Sequence, residues 1–173
     1  MEDCEKIYVD YSSLVYNVAL NYVQNIQDAE EITQDVFLKV YHKKESFKNN
    51  SSIKTWVYRI TINTSIDYLR KRNRRPILRL LINESNVPKH KSELKHPGVL
   101  LEEKEAYRSL FSSLNQLPIA QKSSIILLKI EGLSQKEAAK VLEIKEKALE
   151  SLFQRAKKSL LTIIKKEKNK KNV

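Results

Sequence analysis

Three carboxylates at three- and four-residue steps, Asp28, Glu31 and Asp35, form a candidate group of metal ligands in the sequence. On a helix they would share one face and could in principle hold magnesium, but nothing is spaced to serve them as nucleophile or base. The histidines, His42, His90 and His96, are scattered, and no H-E-x-x-H run occurs. A lone cysteine, Cys4, leaves no disulfide framework and no cysteine-built zinc site, and it points to a reducing compartment. These residues lead us to expect a protein that is not an enzyme and carries no metal or other cofactor. The chemistry on offer is recognition. In "TWVYRITINTSIDYLRKRNRR", Thr55 to Arg75, a helix places Arg59, Asn63, Asp67 and Arg70 within an arc of roughly 80°, with Trp56 at its edge. Donors, an acceptor and an aromatic edge suit the reading of a base and the bracing of a phosphate.

Charge supports an anionic partner. The formal charge is +11, an excess that costs stability through self-repulsion unless a counter-surface relieves it. Its placement is uneven: residues 1 to 47 hold nine acidic and four basic side chains, whereas residues 48 to 75 hold eight basic and one acidic. Two different partners are implied. "RKRNRR", Arg70 to Arg75, supplies sequence-independent attraction for phosphates. No run of 18 or so apolar residues occurs, and "MEDCEKIYVDY" is acidic where a secretion signal would be basic and then apolar. A soluble, cytoplasmic protein with no membrane insertion of its own is therefore expected.

Helices must position these groups, because two glycines and four prolines are too few for a sheet-and-turn architecture. Tyr8, Tyr11, Val15, Val18 and Tyr22 recur at helical steps, and "NIQD" interrupts them. In "DAEEITQDVFLKVYHK", Ala29, Ile32, Val36 and Val40 share a face, with Asp28 and Glu31 placed to satisfy amides at the helix start. After the polar loop "KNNSSIK" comes the striped helix, flanked by Val57, Ile60, Thr64 and Tyr68 on one side and Tyr58, Ile62, Ile66 and Leu69 on the other. It should end near Arg75, since Pro76 disfavours a helical residue before it. Residues 76 to 103 hold three of the four prolines and read as a linker, with "ILRLLI" apolar enough to dock.

Helical period resumes from about Glu102 and again beyond Pro118, and Gly132 sits where a helix would close with a left-handed residue. Ser134 and Glu137 have capping-box spacing. A short helix from Ser134 to Leu142, a tight turn at "EIK" and a longer helix from about Lys145 make a helix-turn-helix unit. The lysine-rich "KKEKNKKNV" reads as a frayed, solvated end. An all-α chain follows, with domains at 1–75 and 104–165, a linker at 76–103 and a basic tail at 166–173.

Taken together, "DAEEITQDVFLKVY", "SSIKTWVYRITINTSIDYLRKRNRR", "LNQLP", "LLKIEGLSQKEAAKVLEIK" and "LFQRAKKSL" resemble, in order and spacing, bacterial sigma factors of the extracytoplasmic-function type within the sigma-70 family. The resemblance covers about Tyr8 to Arg75 and about Glu105 to Leu160. It implies a region 2-type bundle and a region 4-type helix-turn-helix domain. It further implies that Asp28, Glu31, Gln34, Asp35 and Lys39 contact a coiled coil of the clamp of core RNA polymerase's largest subunit. Ser51, Ser52, Lys54, Trp56, Arg59, Asn63, Asp67, Arg70 and Lys71 would open and hold the minus-ten promoter element. Lys145, Lys147, Ala148 and Ser151 would reach base edges at the minus-thirty-five element while Gln154, Arg155 and Lys158 brace the backbone. An anti-sigma factor is a further implied partner.

Two departures from the family pattern stand out. Glu143 occupies a turn position where many members have Gly, and Ala148, Leu149, Glu150, Ser151 and Leu152 replace a Thr-Val-Lys-Ser-Arg run. Glu150 should repel a phosphate or accept from a cytosine amino group, so the DNA sequence preferred by the family does not transfer. A stand-alone helix-turn-helix regulator is the rival; it would bind duplex DNA without polymerase and would leave the stripe from Thr55 to Arg75 without a role.

Overall fold

The computed structural model describes residues 4–47, 51–73 and 101–171, and the chain falls into two compact units, Met1–Glu93 and Leu94–Val173. The described residues are helical, with no strand among them. The expected linker lies, up to residue 100, outside the described residues, as do "ILRLLI" and the end of the striped helix beyond residue 73.

The first unit packs α1 (Cys4–Val23), α2 (Ile26–Lys43) and α3 (Ile53–Asn73) against one another, with a 3-10 turn at Lys44–Ser46. Val15, Val18, Ala19 and Tyr22 from α1 meet Ala29, Ile32, Val36 and Val40 from α2 and Val57, Tyr58 and Ile62 from α3, all buried. Fully burying the valine and isoleucine side chains among these stabilises by roughly 1.5–3 kcal/mol each. The α1 face is shifted from the one expected, since Ile7 is buried while Tyr8 is 54% exposed with its ring edge-on to Phe37.

Gln24 closes α1 in the left-handed region (φ 54), and its side-chain amide donates to the carbonyls of Leu20 and Asn21. The cap of α2 is Asn25, whose Oδ1 accepts from the Asp28 amide at 2.9 Å. Asn25 therefore takes the capping role expected of Asp28, and the Asp28 carboxylate is left to bond elsewhere. Small polar residues make the burial of α3 on two sides possible. Thr61, Thr64 and Ser65 are buried and donate back to the carbonyls of Val57, Ile60 and Thr61 at 2.7–2.8 Å, so these hydroxyls are satisfied and neighbouring helices approach closely.

The second unit contains α4 (Leu101–Asn115), α5 (Ile119–Ile125), a π turn (Ile126–Ile130), α6 (Gln135–Leu142) and α7 (Glu146–Lys171). Phe111, Leu114, Leu117, Ile125 and Ala156 form the core, with Tyr107, Phe153, Leu160 and Ile163 packed on it. The π turn carries one extra residue per turn, its Glu131 amide bonding to the Ile126 carbonyl, and ends at Gly132 with φ +66 as its sequence position predicts. At α6 the expected capping box is present, with the Glu137 amide donating to Ser134 Oγ and the Glu137 carboxylate accepting from the Ser134 amide.

The end of the chain departs from expectation. The expected fraying of "KKEKNKKNV" is not seen in its described part, where α7 continues to Lys171. Glu167, within the tail, accepts from Ser113 Oγ at 2.7 Å and Gln116 Nε2 at 2.6 Å and so fastens the helix to α4. Composition alone suggests a solvated tail, but a single carboxylate with two donors holds it.

Candidate nucleic-acid and partner-binding surfaces

On α2, Glu31, Gln34 and Asp35 are exposed, whereas Asp28 and Lys39 are half-buried and engaged with α3. Lys39 Nζ donates to Thr64 Oγ1 at 3.0 Å. Asp28 accepts from Tyr68 and Arg72. Sequence reading overlooked Leu38 and Tyr41, which are 59% and 67% exposed. With Glu31 and Gln34 they fall within an arc of roughly 80° of the helix. Exposed apolar side chains beside polar groups are the make-up of a protein-docking surface. Their sequence signal was phase: both lie off the Ala29, Ile32, Val36 and Val40 face.

On α3 the stripe forms as expected. Asn63, Asp67, Arg70 and Lys71 are exposed, and Arg59 and Trp56 are half-buried. The Trp56 ring packs on Phe47, centroids 4.9 Å apart and planes 35° from parallel, so one face of the indole is committed to the protein. Asp67 pairs with Arg70 at 3.5 Å, a separation and exposure at which the pair contributes little to stability and both groups stay open to exchange for a ligand. Ser52 acts locally, capping α3: its Oγ accepts from the Thr55 amide at 3.2 Å and lies 2.9 Å from the Thr55 hydroxyl. Ser51 is half-buried and Lys54 exposed beside it.

In the second unit Lys145, Lys147, Ala148, Ser151, Gln154, Arg155 and Lys158 are all exposed. Lys147, Ser151, Gln154 and Lys158 lie within an arc of roughly 60° opposite the buried Leu149 and Ala156, while Ala148 sits on the flank. Ser151 Oγ donates to the Lys147 carbonyl and Arg155 Nε to the Ser151 carbonyl. A shallow depression of about 360 Å³ between α6 and α7 is lined by Lys136, Ala139, Lys140, Ile144, Lys145, Glu146 and Lys147. Lys136 and Lys140, one turn apart, were missed by sequence reading although their i, i+4 spacing on the exposed side of the first helix marks them. Four lysines around one depression attract phosphate. Phe153 sits between Lys157 at 5.1 Å and Lys129 at 5.7 Å from its ring centroid. Glu143, in the turn, has φ 57 and ψ 37, a left-handed conformation in which Gly is at ease.

Among the described residues no three His, Cys, Asp or Glu side chains converge to hold a metal ion, and no helix is long and apolar enough to cross a membrane.

Comparison with known proteins places both units. The family model for Sigma-70 region 2 matches residues 7–75, and that for Sigma-70, region 4 matches residues 107–160. The extracytoplasmic-function (ECF) RNA polymerase sigma-E factor of Haemophilus influenzae is 29% identical over 154 residues, covering 87% of this chain and 81% of that protein. The corresponding sigma-E factor of Escherichia coli is 28% identical over 158 residues, with 89% and 82% covered. RNA polymerase sigma-H factor of Pseudomonas aeruginosa is 25% identical over 164 residues, also with 89% and 82% covered.

Among solved structures, the sigma factor RpoE in complex with the anti-sigma factor NepR from Bartonella quintana matches with a TM-score of 0.69 at 23% identity, covering 95% of this chain and 98% of that one. CnrH in complex with the cytosolic domain of CnrY matches with a TM-score of 0.65 at 23% identity, covering 94% and 87%. These two likenesses bear on the fold. The region 2 match overturns the stand-alone regulator, which accounts for the second unit alone. With both sigma regions present in order and relatives of the same kind aligned across most of its length, the chain belongs to the sigma-70 family and is a sigma factor of the extracytoplasmic-function type.

Proposed function

We propose that the two units divide promoter recognition between them, the first over residues 1–75 and the second over 104–165, joined by a linker at 76–103 and followed by a basic tail at 166–173. Exposed Glu31, Gln34 and Asp35, with Leu38 and Tyr41 in the turns that follow, dock on the clamp coiled coil of core RNA polymerase. Asp28 and Lys39, whose side chains are engaged with α3, hold the bundle rather than the polymerase. On α3, Arg59, Asn63, Asp67 and Arg70 hold an extruded base of the minus-ten element beside Trp56, and Lys54 and Lys71 attract its phosphates. Ser51 and Ser52 shape the loop that opens the duplex. Extruding a base costs a few kcal/mol of unstacking and unpairing, which the pocket and phosphate contacts offset.

In the second unit, Lys145, Lys147, Ala148 and Ser151 meet base edges in the major groove of the minus-thirty-five element. Gln154, Arg155 and Lys158, joined by Lys136 and Lys140, brace the backbone. The protein does this without catalytic chemistry of its own, in the cytoplasm where the polymerase works, and an anti-sigma factor restrains it by covering the same surfaces. The solved sigma factor bound to the anti-sigma factor NepR supports that last assignment.

The observation that carries this reading is the pairing, on one chain, of an exposed polar and apolar face on α2 with the separate polar stripe on α3. Substitution tests it. Asn63→Ala or Asp67→Ala should impair or relax minus-ten selection with core polymerase affinity intact, while Glu31→Lys or Asp35→Lys should do the reverse. Loss of core affinity in the α3 variants would make the stripe structural.

A further inference from the structure

Where α2 passes the last turns of α3, one carboxylate serves two side chains of its neighbour. Tyr68 Oη donates to Asp28 Oδ1 at 2.8 Å and lies 3.4 Å from Glu31 Oε2, and Arg72 Nη1 donates to Asp28 Oδ2 at 2.8 Å. The donors are one helical turn apart on α3, so the Asp28 carboxylate spans a full turn of it. Asp28 is free for this because Asn25 already caps α2. The Asp28 side chain is 21% exposed and that of Arg72 43%, a more sheltered pair than Asp67 with Arg70 at 55% and 64%. Burial first, and then the bond to Asp28, push the Tyr68 phenol well above its ordinary range, so it remains a donor at working pH.

Charge suits the end of α3 to this junction. Arg70, Lys71 and Arg72 follow one another in the last turns, where cations complement the helix dipole, and Asp28 brings an anion of the neighbouring helix to the last of them. Asp28 neutralises one cation and, through Tyr68, fixes the turn before it. The bidentate use of one carboxylate sets the direction in which α3 leaves the bundle.

We propose that Asp28 is a positioning residue, which through Tyr68 and Arg72 aims Asp67, Arg70 and Lys71 at promoter DNA and leaves polymerase docking untouched. This rests on the assignment of α3 to the minus-ten element.

The test uses the full chain with core polymerase and four variants: Asp28→Ala, Tyr68→Phe, Arg72→Gln and the Asp28→Ala/Arg72→Gln double. Open complex is read from the chemical reactivity of unpaired thymines, and core affinity from competition binding. Each single variant should lower open complex roughly three- to tenfold, with the double no worse than its more severe single because the groups act as one unit. Core affinity should stay within about twofold. Amide exchange at residues 70–73 should quicken in each.

Unchanged opening, a parallel fall in core affinity, or a double whose loss is the product of the singles overturns the proposal. Asn63→Ala separates the two levels: if it abolishes minus-ten engagement while Asp28→Ala does not, only the positioning role fails. If neither variant matters, the assignment of α3 fails as well. Tyr68→Phe removes a single hydroxyl and keeps the experiment decisive should Asp28→Ala fold poorly.

Discussion

Replacing Glu143 with Gly should stabilise the second unit. Glu143 follows α6 at φ 57 and ψ 37, its amide donating toward the Lys140 carbonyl at 3.3 Å and the Ile144 amide donating to the Ala139 carbonyl at 3.1 Å. That is a Schellman ending, with Glu143 at the position glycine occupies most often. A left-handed conformation costs an L-residue about 1–2 kcal/mol. Glycine forfeits about 0.5–1 kcal/mol of that through its larger loss of chain entropy. The net gain is about 0.5–1 kcal/mol, which for a unit of this size raises Tm by roughly 2–8 °C. Chemical and thermal unfolding of Glu143→Gly measure it, with Glu143→Ala as the control that removes the side chain but keeps the strain. Glycine alone should stabilise. If alanine stabilises as much, the cost lies in the side chain and not the backbone; if glycine destabilises, the assumed strain is absent.

Tyr41→Ala should weaken core polymerase binding by about 1–3 kcal/mol at unchanged folding stability, because a ring 67% exposed in the free protein adds little to the bundle. Competition binding and denaturant unfolding read the two quantities separately. Glu167→Ala should cost about 1–2 kcal/mol and release the end of α7, seen as faster amide exchange over residues 161–171 and unchanged exchange in α6. The raised pKa of Tyr68 means that the native state keeps a proton which the unfolded chain gives up above pH 10.0. Its contribution is fully present below that pH and is lost as pH rises further, so Tyr68→Phe should lose less stability than the parent chain between pH 10 and 11.

Features set by neighbouring residues were legible in the sequence. The buried face of α2, the capping box of Ser134 and Glu137, the left-handed Gly132 and the helix-turn-helix break all follow from local period and end chemistry. The stripe on α3 was legible for the same reason, since its members share a helix. What was hidden depends on partners far along the chain or on a choice between equivalent groups. Asn25 and Asp28 are both good caps, and backbone conformation decided for Asn25. The junction of Asp28 with Tyr68 and Arg72 joins residues 40 and 44 apart, and the bonds of Glu167 to Ser113 and Gln116 span 54 and 51. No local pattern announces such contacts. The exposure of Leu38 and Tyr41 needed the geometry of the bundle to separate a docking face from a core face.

The most direct measurement is transcription in a reconstituted system, with purified core RNA polymerase, this chain and a library of promoter fragments. Defined transcripts should appear only when the chain is present, and their start sites should share two upstream elements at constant spacing. If polymerase and chain together yield no promoter-dependent transcript, while the chain alone still binds duplex DNA, the division of labour between the two units is wrong.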